Sequence, residues 1–145
     1  MAAFIKFNCV ARDLASGVHQ LQTGTTHVFK VMLTNTLPVA ANSVKADIAE
    51  IAAGSGYTAG GVTCAVTSGA LTGGTFKLVL GDPSTITATG GSIATFRYAV
   101  LYNDTPTSPA KPLLGAWDYG SAIALADTQQ FVVDFDATNG VLTLT

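Results

Sequence analysis

Two histidines, His19 and His27, and two cysteines, Cys9 and Cys64, are the side chains of this sequence best suited to ligate a metal. Zinc sites repeat their ligands at short intervals, as C-x-x-C or as two histidines three to five residues apart. Neither spacing occurs here. The histidines flank a Thr/Gly segment and read as surface or loop residues. The cysteines could pair, but two so far apart in sequence fit buried thiols in a reducing compartment better than a disulfide.

Three further groups of residues invite chemistry. Asp134 and Asp136, followed by Asn139-Gly140, faintly resemble a calcium loop, but D-F-D-A-T-N-G misplaces the oxygen ligands and lacks a downstream bidentate Glu. Two aspartates on the outer face of a terminal strand are better read as solvated groups that blunt an edge. Asp118 between Trp117 and Tyr119, with Tyr102, could form a sugar-binding shelf. The competing expectation places Trp117 and Tyr119 in the core and leaves Asp118 exposed. A glycosidase would need two carboxylates in one cleft, and most acids here sit beside turns or on alternating polar positions. A G-x-S-x-G elbow, a phosphate-cradling loop before a helix and H-E-x-x-H are all missing. The residues offer no catalytic constellation, so a non-enzyme without a cofactor is expected.

Composition points the same way. Only 11% of the 145 residues are charged and 48% are hydrophobic, with a mean hydropathy of +0.42. Ordinary soluble domains carry about 25% charged residues. Polarity must come from Thr, Ser, Asn and Gly, and some of the surface must be apolar. Low charge favours association, and exposed apolar patches mark partner surfaces. Net charge is −2 with seven scattered Lys and Arg, so no basic stripe exists to bind nucleic acid. The N-terminus lacks the pattern of a signal peptide, and no apolar run approaches the ~20 residues of a membrane span. Folding in a cytoplasm, without a membrane, is expected.

The elements that must position these residues follow from periodicity. Phe4, Phe7, Val10, Leu14 and Val18 recur at three- and four-residue spacing and predict an N-terminal helix over Phe4–Gly17, with Arg12 and Asp13 off the stripe. Gly17 is its expected stop. Leu14 and Val18 would cover the helix's own sheet, while Phe4 and Phe7 would contact a neighbour. Val28–Leu33 reads as a buried strand. Asn42–Ala52 fits a short helix, a strand or a loop. Val62–Thr67, Phe76–Leu80 and Ser84–Thr89 read as short strands, the last with a threonine face. Phe96, Tyr98, Val100 and Tyr102 should share one strand face, and Leu113, Trp117 and Tyr119 another. Pro106, Pro109 and Pro112 mark a loop between them. Phe131–Asp136 and Val141–Thr145, joined at Asn139-Gly140, predict a terminal hairpin. About eight antiparallel strands in one domain, 1–145, make a mainly β fold: an antiparallel β-sandwich or jelly-roll-like barrel with a short N-terminal helix.

Several stretches carry a resemblance: FRYAVLYND (Phe96–Asp104), KPLLGAWDYGSAIALAD (Lys111–Asp127) and FVVDFDATNGVLTLT (Phe131–Thr145). KFNCVARDLASGVHQL (Lys6–Leu21) and Val31–Gly61 add to it. Together they resemble a small virion structural protein of tailed bacteriophages, over nearly the whole chain and least over Val62–Gly91. The resemblance implies a capsid decoration (cement) protein that binds the major capsid protein on the head surface, assembled in the host cytoplasm. A tail or head-to-tail component, or a carbohydrate-binding module on the virion, is the alternative. It carries over no catalytic residues. A homo-oligomer, trimer or dimer, is the usual outcome of closed symmetry.

Overall fold

Alternation is short and frequent along this chain, and among the described residues it resolves into ten strands and one helix. The computed structural model describes residues 3–145. In chain order these are β1 (Ala3–Lys6), α1 (Cys9–Ala15), β2 (Phe29–Thr34), β3 (Val62–Cys64), β4 (Val66–Thr72), β5 (Thr75–Leu80), β6 (Ile86–Thr87), β7 (Ile93–Asn103), β8 (Leu113–Leu125), β9 (Gln130–Phe131) and β10 (Leu142–Leu144). A single 3₁₀ turn at Lys45–Asp47 is all that becomes of the ambiguous Asn42–Ala52 stretch.

Every strand pairing is antiparallel. One five-stranded sheet runs β1-β8-β7-β2-β3, a three-stranded sheet runs β10-β5-β4, and β6 pairs with β9. The fold is mainly β and sandwich-like, and the described residues close no barrel. A first core fills the space between the large sheet and the smaller ones, joining Phe29, Val31, Leu33 and Leu101 to Leu78, Leu80 and Ile86. A second core lies on the opposite face of the large sheet, where Phe7, Cys9 and Val10 meet Met32, Val100, Tyr102 and Leu113. Both faces of β2 are therefore covered, which explains why its sequence is an almost unbroken apolar run.

The N-terminal expectation needs correction. Ala3–Lys6 is not helical: it forms an edge strand in register with β8, Phe4 opposite Trp117 and Lys6 opposite Gly115. Its apolar residues alternate, Phe4 lying against Trp117 and Ile5 against the second core. The three-residue steps from Phe4 to Phe7 and Val10 thus join a strand to a helix. The helix begins only at Cys9 and stops as expected at Gly17. The Val18 N–H donates to the Asp13 carbonyl and the Gly17 N–H to the Leu14 carbonyl, at 2.8 and 3.1 Å. Gly17 takes φ +70, the left-handed conformation that closes a helix this way.

The terminal hairpin is not formed either. Phe131 pairs with Ile86, and Leu142–Leu144 pairs with β5. Between them Asp136 caps a single turn, accepting bonds from the Thr138 and Asn139 N–H groups at 2.8 Å each. Residues 132–136 belong to no strand. Register shifts also divide faces expected to be continuous. One shift near Phe96 and Tyr98 turns Phe96 into the first core with Leu101, while Val100 and Tyr102 enter the second. Another separates Leu113, in the second core, from Trp117, which packs on the first. A bulge inserts one residue and reverses every later side chain.

Candidate functional site: an aromatic groove on the outer end of the large sheet

β7 and β8 present Ala99, Trp117 and Tyr119 beneath the segment 131–135. Between them lies a groove of ≈ 240 Å³, lined also by Arg97, Phe131, Val132, Val133, Asp134 and Phe135. Phe135 is buried, Trp117 and Phe131 are half-buried, and Tyr119 and Val132 are exposed. The rings are inclined: Trp117 and Phe135 lie 5.4 Å apart at 53°, Tyr119 and Phe131 5.9 Å apart at 67°. The overlying segment is held down where the Phe135 N–H donates to Asp82 Oδ1 at 2.7 Å.

The structure separates the residues of the expected sugar shelf. Trp117 and Tyr119 do meet in this groove. Tyr102 does not: it is fully buried in the second core, its hydroxyl donating to the Gly60 carbonyl at 2.7 Å. Asp118 is already engaged. Arg97 donates to both of its oxygens at 2.8 Å, and the Gly120 N–H donates to Oδ1. These bonds, Arg97 first, hold the Asp118 carboxyl below its ordinary range. Asp134 lines the groove and makes no ion pair among the described residues. Asp136 faces away from it, its oxygens taken by Thr138 and Asn139, so the two aspartates do not converge.

Phe4 packs on the groove's Trp117 without lining the groove itself. Its ring lies 5.3 Å from that of Trp117, tilted by 44°, and it is 45% exposed at the outer edge of the large sheet. Phe7 was expected to share this surface role and does not. It is fully buried in its own chain's second core, so the contact expectation narrows to Phe4.

The metal-capable residues divide between two sites. Cys64 belongs to the first core and Cys9 to the second, both buried as free thiols. Burial pushes the Cys64 thiol up to about 12. The two histidines do come together, through a residue the sequence did not single out. Asn103, fully buried, places its Nδ2 3.2 Å from His19 Nδ1 and 2.9 Å from His27 Nδ1. An amide nitrogen only donates, so both ring Nδ1 atoms accept. His19 is buried rather than exposed, and burial lowers its pKa to about 4, with the His27 charge opposing and Asp13 favouring its protonation. Asp13, expected on a polar helix face, is buried as well. Its Oδ1 takes the Arg12 guanidinium at 2.7 Å. No three His, Cys, Asp or Glu side chains converge as a metal site among the described residues.

A second polar network escaped the sequence entirely. Glu50 Oε1 accepts from the Tyr57 hydroxyl at 2.7 Å and the Gly60 N–H at 2.6 Å, while Oε2 meets Lys45 Nζ at 2.7 Å. Burial alone would raise the Glu50 carboxyl, but these donors outweigh it and hold it below its usual range. The Tyr57 hydroxyl in turn accepts from the Leu33 N–H in β2. The loop over the sheet is thereby pinned to its central strands.

No protein-family model, curated protein or solved structure matches the chain.

Proposed function

We propose that this protein is a virion structural protein, a decoration protein that binds the assembled head of a tailed bacteriophage and stabilises it. The observation that carries this reading is the exposed Phe4 on an open sheet edge. β1 ends the five-stranded sheet, so its outer N–H and C=O groups offer a ladder to a partner strand, with Phe4 beside them. Five of the seven cations, Arg12, Lys30, Lys45, Arg97 and Lys111, are engaged in local ion pairs. Lys6 and Lys77 are the two cations outside these pairs, so little positive charge is left to repel a neighbouring subunit. The resemblance to small virion proteins of tailed phages supports the same reading and supplies the partner, the major capsid protein.

A protein that binds only the assembled shell stabilises it by mass action. Particles lacking this chain should assemble, then release DNA at lower temperature or under milder osmotic shock. Adding the purified protein back should restore resistance, and a Phe4→Asp variant should not. Equal thermal endurance with and without the protein would sink the reading.

A further inference from the structure

We infer that the groove between β8 and residues 131–135 is a binding site for a small organic cation of the quaternary ammonium type. Aromatic faces carry negative charge density and attract a cation held within about 6 Å of the ring centre. Here Trp117, Tyr119, Phe131 and Phe135 surround one groove, and their mutual tilts of 53° and 67° present ring faces and edges from several directions. The groove is small for a drug-sized ligand, which needs about 300 Å³ or more. Its ≈ 240 Å³ is about eight times the roughly 30 Å³ share of a water molecule, room for a trimethylammonium head.

Charge selects a cation over a sugar or a neutral apolar group. A sugar needs several uncommitted hydrogen-bonding side chains. The lining offers three, Asp134, the Tyr119 hydroxyl and the Trp117 indole N–H, set among apolar walls, whereas Arg97 already gives its guanidinium to Asp118. With the Arg97 charge matched by Asp118 outside the lining, Asp134 is the lining's unpaired charge. A tetraalkylammonium needs no hydrogen bonds and loses little on leaving water, which suits apolar walls with one carboxylate at the rim.

Choline is the probe, and Trp117 is the reporter, because it is the chain's single tryptophan. Titrating choline chloride should shift Trp117 emission and move the N-methyl proton resonance upfield through the ring currents. Sodium chloride at equal ionic strength should do neither. The neutral isostere 3,3-dimethylbutan-1-ol should bind at least about fivefold more weakly, and Asp134→Asn should weaken choline by a similar factor. Phosphatidylcholine vesicles distinguish the sources of the cation. Co-sedimentation assigns the site to a lipid head group, and choline binding without it assigns a soluble cation. Equal binding of the alcohol, or no change beyond the salt control, would overturn the inference. The isolated protein suffices, so this result is separable from that of the particle experiments.

Discussion

The Phe4 ring rests 5.3 Å from the Trp117 ring across the β1–β8 pairing, over the one glycine in this part of β8. Gly115 makes that contact possible. A Cβ placed there would come within 2.8 Å of Phe4 Cζ, tighter than any real contact of that kind. In Gly115→Ala the Phe4 ring should therefore swing outward and uncover Trp117. Emission of the single tryptophan should move to longer wavelength, while the melting temperature changes little because a side chain can yield where backbone cannot. Unchanged emission would mean that the ring has another resting place.

Trp117 itself is half-buried, with the Phe4 and Phe135 rings 5.3 and 5.4 Å from its own. Truncation of a fully buried Trp costs ~3–5 kcal/mol. Trp117→Ala should cost less, about 2–3 kcal/mol, measured by urea unfolding followed by circular dichroism. A cost below about 0.5 kcal/mol would identify the ring as a surface anchor with no share in the core.

The His19–Asn103–His27 cluster predicts an acid sensitivity of definite sign. His19 is held at about 4 in the folded protein against 6.5 for the free side chain. Between those values the unfolded chain binds the proton and the folded chain does not, so stability falls as pH drops from 6.5 towards 4. Full expression of the shift is worth about 3 kcal/mol. Unfolding free energy measured across this window should show the decline, and His19→Gln should flatten it. An equally steep profile in the variant would assign the dependence to other groups.

Glu50 should add a loss of the same sign at lower pH. Its carboxyl is held below the ordinary glutamate value, so its contribution is complete above about 4.5 and is lost as pH falls through the folded value. Glu50→Ala leaves the Tyr57 hydroxyl, the Gly60 N–H and Lys45 Nζ without this acceptor. A loss of about 3 kcal/mol at pH 7 is expected, together with faster amide exchange at Gly60. Retention of full stability would place the loop's anchorage elsewhere.

Which of these features could be read beforehand depends on how local their causes are. The strands β2, β5, β7 and β8 announce themselves through alternation or unbroken apolar runs, because each residue's burial depends on its own parity. Gly17 announces the helix end through its backbone freedom. Asn103 could not be recognised, because its partners lie 76 and 84 residues away and an asparagine at a strand end looks like any turn residue. Glu50 is similar: its donors converge only once the loop folds over β2. Periodicity misled where two elements meet, since Phe4 and Phe7 keep helical spacing while belonging to a strand and a junction. It also misled at Phe96 and Leu113, where a shift of one residue changes the face. Groove residues Trp117 and Tyr119 are visible as aromatics beside an acid, but the segment that completes the groove, 131–135, reads from its alternation as one arm of a hairpin that does not form.

Phe4 and Phe7 supply the sharpest separation of fold from association. They differ by three positions and by chemistry not at all, yet one is 45% exposed and the other fully buried. Phe7→Ala should open a cavity in the second core beneath α1 and cost about 3–4 kcal/mol, lowering the melting temperature and any binding with it. Phe4→Asp removes partly exposed area on an edge strand, so the fold should lose about 1 kcal/mol or less. Its effect should fall instead on association, read as reduced co-sedimentation with shells or a smaller mass in light scattering. Circular dichroism should remain β-rich in both variants below their melting points. Shell binding and oligomer mass in Phe4→Asp equal to those of the parent protein would remove the β1 edge from the contact surface.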